Sequence, residues 1–485
     1  MSTVQRIAKN TSVLLAAQVA GYLLAFFYMM YTARYLGAAG FGILSFALAF
    51  TGIFAVFGDL GLRPLTVREV ARDKSLAPKY LANVSLMKII LVAVTFGLIA
   101  LTINLMGYPE ETIKVVYLLA LFVIFQAFAQ MFYSIFQAFE RMEYQAIGQM
   151  LNAALILSGV TIAIKHGFSV VGFASLYVIA SIIVLGYSFT VMKLKFSNPV
   201  PASAVKIMEF DWSFWEPTIK EALPFGLASI FISIYYWIDT VMLSLMQGSE
   251  VVGWYNAAYR LIIVLLALPS MYFLSIFPVT SRFYKSSEES LKFAHERTLK
   301  YMTIIAIPLG VGTTLLADKI ILVIFGIEYI PAIIALQILI WSLVFIFISV
   351  NSTNLLYSIN KQRFVMKVTA VCAVANIALN LFLIPRYSYV GASIATVATE
   401  CIAFCLIFYW ISRSEYKLSS RSLLRTTSKV IIASLIMGMF IKYFTHTSLL
   451  ALVPLSVILY FGIFYALRGL DKADILIFRS LIRKG

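Results

Sequence analysis

Three charged side chains lie deep inside long apolar stretches, where a charge is costly and is usually paired or functional. Asp239 stands nine residues before Gly248, and Arg260 twelve residues after it. In a helical hairpin both would lie roughly 10–15 Å inside the apolar layer, at about 1.5 Å per residue. They can form a static ion pair or border a cavity. Glu400 has no basic neighbour in its stretch, so it is either a hydrogen-bonded structural acid or a group that couples ion movement to conformational change.

Uncharged polar side chains form stripes at helical spacing. Gln126, Gln130, Tyr133 and Gln137 are separated by 4, 3 and 4 residues, which places them on one helix face. Further pairs are Gln18 with Tyr22, Asn351 with Asn354, and Asn376 with Asn380. One reading is hydrogen bonding between helices. The other is a wet cavity lined by amides and phenols, which suit sugar hydroxyls.

Other chemistry finds little support. The three histidines are scattered, and Cys372, Cys401 and Cys405 all fall in apolar stretches, so we predict no disulfide framework, metal site or cofactor. There is no nucleophile with a base at a recognisable spacing, and we predict no catalytic residues. The glycines at turns are read as allowing tight connections.

The elements that hold these residues are membrane helices. The chain has 485 residues, 61% apolar and 12% charged, and apolar runs of 18 or more residues recur from end to end. The net charge of +16 does not indicate nucleic-acid binding, because the basic residues are spread between the spans. The first apolar run is too long for a signal peptide and is read as a retained span.

The sequence predicts fourteen spans with both termini in the cytoplasm. Thirty of the 38 Lys and Arg residues fall in the predicted inner segments and only five in the outer ones. The predicted spans are 12–34, 41–62, 83–105, 114–138, 145–164, 169–192, 222–246, 252–279, 301–317, 332–357, 368–385, 389–411, 430–446 and 449–467. A weak stretch at 319–325 is read as part of a longer or broken ninth span.

The fold class is therefore an all-α polytopic membrane protein. We predict an N-terminal six-helix lobe at 1–195, a cytoplasmic amphipathic linker at 196–221, a C-terminal six-helix lobe at 222–412, and two extra helices with a cytoplasmic tail at 413–485. Within the linker, Phe210, Trp212, Phe214 and Trp215 predict a helix lying on the headgroups. The polar stretch 282–300 is read as a solvated helix.

Two short sequence matches between the lobes predict that they are parallel repeats, related by a pseudo-two-fold axis along the membrane normal. Gly37 and Gly42 match Gly248 and Gly253 at an offset of 211 residues. Ser169-Val-Val-Gly172 matches Ser388-Tyr-Val-Gly391 at an offset of 219.

Charges at span ends receive a structural reading. Asp59 and Arg63 are one turn apart and are expected to pair at the interface. Lys88, about five residues into its span, is expected to snorkel. Arg34 closes the first span.

These residues resemble the Wzx-type polysaccharide-transport flippases of the multidrug/oligosaccharidyl-lipid/polysaccharide exporter superfamily. The resemblance rests on three segments in their order: Ala33-Arg34-Tyr35-Leu36-Gly37; Asp239 followed by Val252-Gly253-Trp254-Tyr255-Asn256-Ala257-Ala258-Tyr259-Arg260; and Asn376, Asn380 and Leu383-Ile384-Pro385 with Val390-Gly391-Ala392-Ser393. It implies a plasma-membrane flippase that moves a polyprenyl-linked oligosaccharide to the outer leaflet by alternating access. Membrane lipid and a coupling ion, H⁺ or Na⁺, are the other implied partners.

The candidate cavity residues are Arg34, Lys88, Gln126, Gln130, Gln137, Asp239, Asn256, Arg260, Asn376 and Asn380, with Glu400 as the coupling candidate. Relatives often have a cationic cavity that suits a pyrophosphate, whereas the deep charges here are mixed. Arg260, Arg34 and Lys88 are the candidates for phosphate contact.

Three other functions stay open. The deep acids also suit an ion-coupled multidrug or small-cation exporter of the same superfamily. An oligosaccharide polymerase or ligase is disfavoured, because no outer loop is long. The last alternative is an assembly scaffold.

Overall fold

The computed structural model describes residues 3–196, 211–416, 420–471 and Asp474, and this part of the chain is helical with no strand. The helices are α1 (Thr3–Ala55), α2 (Leu62–Arg72), α3 (Ala77–Leu105), α4 (Glu110–Ala138), α5 (Met142–Lys165), α6 (Val170–Lys195), α7 (Trp212–Gln247), α8 (Ser249–Leu265), α9 (Ala267–Ser286), α10 (Glu288–Ile324), α11 (Ala332–Ser358), α12 (Gln362–Ser412), α13 (Ser420–Tyr443) and α14 (Leu449–Ala466). The predicted all-α class is confirmed.

Twelve helical stretches among the described residues are long and apolar enough to cross a membrane. Helix α1 has 53 residues and α12 has 51. At about 1.5 Å per residue each exceeds twice a hydrocarbon core of about 30 Å. Each is broken by non-helical backbone, at Gly37 (φ 67°, ψ 179°) and at Ser388 (φ 52°, ψ −136°), and each holds two of the predicted spans. The count of fourteen stays a prediction.

Two predicted helices differ from the structure. Trp212, Phe214 and Trp215 open the long helix α7 and do not form a separate interfacial helix, while Phe210 lies outside the described residues. Asp211 caps α7 by accepting a hydrogen bond from the Phe214 amide at 3.2 Å. Trp215 is anchored because its Nε1 donates to Asn83 Oδ1 at 3.0 Å.

The stretch 282–300 is likewise not one helix. Helix α9 ends at Ser286 and α10 begins at Glu288, because the Ser287 hydroxyl caps α10 by accepting from the Ser290 amide at 3.2 Å. Helix α10 then continues to Ile324, which confirms the longer ninth helix.

Packing divides the chain into two compact units. The first comprises Met1–Asn256 with Asn380–Ser388, and the second Ala257–Leu379 with Tyr389–Gly485. The first has an aromatic core in which the Phe136 and Phe196 rings stack at 5.2 Å. In the second, Tyr460 packs with residues of α10 and α13, and its hydroxyl donates to Ile304 O at 2.8 Å. The predicted lobe and linker boundaries stay a proposal.

An acidic pair after α14 anchors the end of the described chain within the second unit. Asp474 is fully buried and accepts hydrogen bonds from Arg297 and Tyr301, both at 2.9 Å. Burial raises the pKa of Asp471, but the hydrogen bonds from Arg297 and Lys300 outweigh it and hold that pKa well below the ordinary value. This carboxylate is therefore ionised at neutral pH.

The turns between helices repeat along the chain. Residues with positive φ pair as Gly37 (67°) with Gly248 (90°), Gly107 (69°) with Gly326 (93°), Glu140 (58°) with Asn360 (60°), and Gly167 (70°) with Ser388 (52°). Their separations are 211, 219, 220 and 221 residues. Hydrogen bonds repeat as well, since Arg141 N donates to Phe136 O and Lys361 N to Leu356 O, both at 2.8 Å. The backbone thus supports the parallel repeat inferred from two short sequence echoes.

One helix crossing in the first unit has the symmetry of that repeat. A methyl group added at Gly42 would lie 1.7 Å from Ser249 O, and one added at Gly253 would lie 2.0 Å from Ala38 O. Ala38 and Ser249 are also 211 residues apart, as Gly42 and Gly253 are. The repeat therefore relates each of these two contacts to the other. The backbones touch here, and only glycine fits at positions 42 and 253.

We expect Gly42→Ala to destabilise the protein by about 1–3 kcal/mol, because the new methyl group must push the α8 backbone away. Gly253→Ala should behave in the same way, and the double variant should cost less than the sum, since one displacement relieves both clashes. Thermal unfolding in detergent measures this. Gly97→Ala is the matched control, because a methyl group there meets no atom within 4 Å. Equal melting temperatures for Gly42→Ala and Gly97→Ala would contradict the crossing.

Candidate functional site

Asp239 is the centre of a buried polar cluster in the first unit. The side chain is 5% exposed, and its carboxylate accepts hydrogen bonds from Tyr255 Oη at 2.9 Å and Asn380 Nδ2 at 2.5 Å. Tyr255 and Asn380 are both fully buried. Helices α7, α8 and α12 therefore meet through one carboxylate.

The turn at Gly248 explains how this cluster forms. Asp239 lies nine residues before that glycine and Tyr255 seven residues after it, so an antiparallel hairpin brings them to a similar depth. Gly248 has a φ of 90°, which closes the turn. Gln247 Nε2 donates to Ile384 O at 3.3 Å and ties the same hairpin to α12.

Asn256 adds a second bridge between α7 and α8. It is 1% exposed, and its Nδ2 donates to Thr240 Oγ1 at 3.2 Å and to Val252 O at 3.0 Å. Amide and hydroxyl groups commonly join helices in this way inside membranes. Asn256 thus contributes to helix packing next to the Asp239 cluster.

The chemistry open to the cluster follows from its oxygen atoms. A buried carboxylate must be compensated by hydrogen bonds, by a proton or by a cation. Carboxylate, amide and phenol oxygens are also ligands that hard cations accept. Among the described residues there is no group of three or more His, Cys, Asp or Glu side chains placed to hold a metal ion. The arrangement suits reversible neutralisation of one acid.

The glutamine stripe on α4 makes contacts within its own unit. Gln137 Nε2 donates to Gln145 Oε1 on α5 at 2.6 Å. The Tyr133 hydroxyl packs over Gly148, where an added methyl group would lie 2.1 Å from it. Gln130 Oε1 is buried with no hydrogen-bond partner in the described part of the chain, and Gln126 is half-buried. Contact between helices accounts for Gln137, while a cavity role for this stripe stays a proposal.

Asparagines of the second unit also follow the packing alternative. Asn351 Nδ2 donates to His295 O at 2.8 Å and lies 2.8 Å from His295 Nδ1. Asn354 Oδ1 accepts from Thr280 Oγ1 at 2.9 Å. The sequence held no signal for His295, which is fully buried on α10. These contacts join α9 and α10 to α11.

Two expectations for charged residues were wrong. Lys88 does not snorkel, because it is 1% exposed and its Nζ lies 2.5 Å from Asp59 Oδ1. Asp59 does not form its ion pair with Arg63 but with Lys88, and its second oxygen accepts from the Arg63 backbone amide at 3.2 Å. The Lys88 ammonium is buried, so it would be costly without a carboxylate partner. Arg63 is less buried and needs such a partner less.

Comparison with known proteins now identifies the family. The model of the polysaccharide biosynthesis protein family matches residues 7–284, more than half of the chain. The chain belongs to this family. The MatE family model also matches residues 224–382, a range that contains Asp239 and Asn380. Both matches confirm the superfamily that the sequence resembles.

Relatives of the family match over nearly the whole chain. The probable low-salt glycan biosynthesis flippase Agl15 of Haloferax volcanii is 21% identical over 464 residues, covering 94% of each chain. A solved structure of the lipid II flippase MurJ in an inward closed conformation has a TM-score of 0.74 at 16% identity, covering 97% of this chain and 99% of that one. An inward-facing multidrug MATE transporter has a TM-score of 0.67 at 18% identity, covering 83% and 98%. The chain therefore has the fold of this superfamily and is a multi-pass membrane protein.

The remaining candidates are distributed over both units. Arg34 is exposed on α1, three residues before the break at Gly37, and Asn376 is buried on α12 one turn before Asn380. Arg260 and Glu400 are half-buried and belong to the second unit. The interaction of Arg260 with Asp239 and the coupling role of Glu400 stay predictions. What the sequence analysis missed is Tyr255, although it stands in the quoted hairpin motif of the family.

We expect Tyr255→Phe and Asp239→Asn each to destabilise the first unit by about 1–3 kcal/mol, because each leaves a buried polar group with a lost or mismatched partner. Their double variant should show a coupling energy of about 0.5–3 kcal/mol. Thermal unfolding of the four proteins measures the cycle. Tyr31→Phe, at an exposed position on α1, is the control and should leave the melting temperature unchanged. Strict additivity would mean that the Tyr255 hydroxyl contributes nothing to holding Asp239.

Proposed function

We propose that this protein moves a polyprenyl-linked oligosaccharide from the cytoplasmic to the outer leaflet of the plasma membrane. The observation that carries the proposal is the match, along 94% of both chains, to a protein named as a probable glycan biosynthesis flippase. The likeness to a lipid II flippase structure supports the fold that this task requires. The names of both relatives are those of flippases, one for glycan biosynthesis and one for lipid II.

The crossing at Gly42 and Gly253 supports alternating access. It is a contact of bare backbone between corresponding parts of the two repeats, so it closes tightly in one state. In the proposed cycle these two backbones separate when the opposite face closes. Asp239 lies in the α7–α8 hairpin that contains Gly253, so its protonation or ion binding can favour one of the two states.

Orientation is part of the proposal. The excess of Lys and Arg in alternate loops favours both termini in the cytoplasm and the Gly248 turn outside. A cysteine placed at the exposed Glu250, in a variant whose native cysteines are replaced by serine, should then react with a membrane-impermeant maleimide from outside. Reaction only in permeabilised cells would reverse the orientation.

We further propose that the protein is a transporter and carries out no covalent step on the saccharide. The buried polar groups described above pair carboxylates, amides and phenols, and none of them joins a nucleophile to a base. The names of the relatives, which are those of flippases, favour this proposal over an oligosaccharide polymerase or ligase.

An ion-coupled multidrug or small-cation exporter is the second candidate. The MatE model match and the multidrug transporter structure favour it. Transport of lipophilic cations by the protein in lipid vesicles would support this candidate, whereas a saccharide flippase should not transport such cations.

The deciding test uses the purified protein in lipid vesicles that contain a fluorescent polyprenyl pyrophosphate saccharide. We expect the probe to become accessible to a membrane-impermeant quencher on the opposite face several times faster than in protein-free vesicles. The Gly42→Ala variant should flip it more slowly, because its closed state is weakened, and Gly97→Ala should match the wild type. No acceleration by the wild-type protein, together with transport of a lipophilic cation, would replace the proposed function by the second candidate.

Ion coupling is tested separately at Glu400. If Glu400 titrates during the cycle, flipping should respond to an imposed proton or sodium gradient in the wild type. Glu400→Gln keeps the shape and hydrogen-bonding capacity of the side chain and should abolish that response. An unchanged response in Glu400→Gln would leave Glu400 as a structural acid and direct attention to Asp239.

A further inference from the structure

The turn between α1 and α2 places three charges together. The Lys88 ammonium on α3 forms an ion pair with one oxygen of the Asp59 carboxylate. The Arg63 backbone amide donates a hydrogen bond to the other oxygen of that carboxylate. Lys88 is therefore the ion-pair partner of Asp59, while Arg63 contacts this carboxylate only through its uncharged backbone amide. The arrangement leaves one positive charge in excess beside the apolar core of the first unit.

Arg63 carries that excess charge. It is half-buried, and within the described part of the chain its guanidinium makes no hydrogen bond and no ion pair. Asp59 and the Tyr133 side chain on α4 both act electrostatically on the guanidinium. Burial lowers the pKa of Arg63, although the group stays cationic at neutral pH.

The other arginines of α2 differ from Arg63. Arg68 is paired with Glu69 and with Glu221 on α7, and Arg72 lies 3.1 Å from Glu69. Both are thus neutralised by carboxylates. Among the described residues Arg63 has no carboxylate partner, and its five donors suit recognition of a phosphate.

An apolar groove begins at the same turn. It has a volume of about 140 Å³ and is lined by Leu60, Leu62, Met87, Leu91, Trp215 and Ala222, among other apolar residues. Leu62 directly precedes Arg63 in the sequence, and Leu60 lies three residues before it. Met87 directly precedes Lys88. The wall is almost entirely hydrocarbon, so the groove suits a chain of carbon atoms and no polar group.

We propose that Arg63 binds the phosphate of the polyprenyl carrier while this groove holds the first carbon atoms of its chain. The inference rests on the proposed function and names the part of the substrate that the first unit recognises. Charge complementarity favours this occupant, because Arg63 directly follows the groove-lining Leu62, and a cation next to a hydrocarbon wall fits an anionic head on an apolar chain. Guanidinium also pairs with phosphate through two parallel hydrogen bonds.

The site also fits the direction of transport. The turn at 59–63 lies at the end of the first unit that the charge distribution assigns to the cytoplasm. The carrier phosphate enters the cycle from that leaflet. Arg63 would therefore act at substrate entry, and the sugar would be left to the polar side chains elsewhere.

Binding to the full-length protein in phosphatidylcholine nanodiscs tests the site, with native mass spectrometry as the readout. The probes are a polyprenyl monophosphate, the matching polyprenol and phosphatidylglycerol. We expect Arg63→Gln to weaken binding of the polyprenyl monophosphate at least tenfold and Arg63→Lys to restore part of it. Binding of the polyprenol should not respond to Arg63→Gln, whereas Ala222→Phe, which fills the groove, should weaken both isoprenoid probes.

Arg68→Gln is the matched control, because Arg68 lies on the same helix and already has carboxylate partners. It should leave polyprenyl monophosphate binding unchanged. Equal affinity in Arg63→Gln and the wild type, or equal losses in Arg63→Gln and Arg68→Gln, would overturn the site. A loss of phosphatidylglycerol binding as large as that of the polyprenyl probe would assign the site to ordinary phospholipid and also overturn the proposal.

The flipping assay separates this inference from the proposed function. If the wild type flips the saccharide probe and Arg63→Gln binds the carrier normally, the phosphate site fails and the function stands. If binding depends on Arg63 but the wild type does not flip, the proposed function fails and the site remains. Unchanged melting temperatures of the Arg63 variants show that the comparison is made on folded protein.

Discussion

The absence of water from the apolar layer is the constraint on which the rest of this structure depends. Each polar group inside the layer must find its partner within the chain, because an unsatisfied one costs several kcal/mol. Asp239 meets the requirement with Tyr255 and Asn380, and Lys88 with Asp59. Three helices are joined at the first of these groups, and the turn between α1 and α2 is joined to α3 at the second. The constraint thus determines where helices meet.

The two repeats share their backbone turns but differ in their chemistry. At the offset of 211 residues, Tyr28 stands where Asp239 would be and Leu44 where Tyr255 would be. The acid cluster is therefore particular to the second copy, while the Lys88–Asp59 pair and Arg63 belong to the first. In the proposed cycle, this difference would let one half bind a head group and the other respond to an ion. This division is consistent with a transporter whose substrate and coupling ion occupy separate places.

The overall architecture could be predicted from the sequence, whereas the individual side-chain contacts could not. Apolar length and the distribution of basic residues are averages over many side chains, so span positions, the α7–α8 hairpin and the repeat could be inferred from them. Lys88 and Asp59 are 29 residues apart, and no periodicity links two positions on different helices. Tyr255 was overlooked because an aromatic residue on an apolar helix carries no local sign of what its hydroxyl contacts. The helix opened by Trp212 was misassigned because its aromatic residues were read as a separate interfacial segment, whereas they continue without a break into α7.

The backbone crossing of Gly42 with Gly253 has a mechanical consequence. Since neither glycine has a side chain, nothing interlocks there, and the two surfaces are held mainly by dispersion between atoms at van der Waals distance. Such a contact weakens steeply over a fraction of an ångström and re-forms without any rotamer having to be searched. The crossing is therefore stable when the two backbones are in contact, and it can separate and re-form without rearrangement of side chains. A gate that opens and closes many times needs this property.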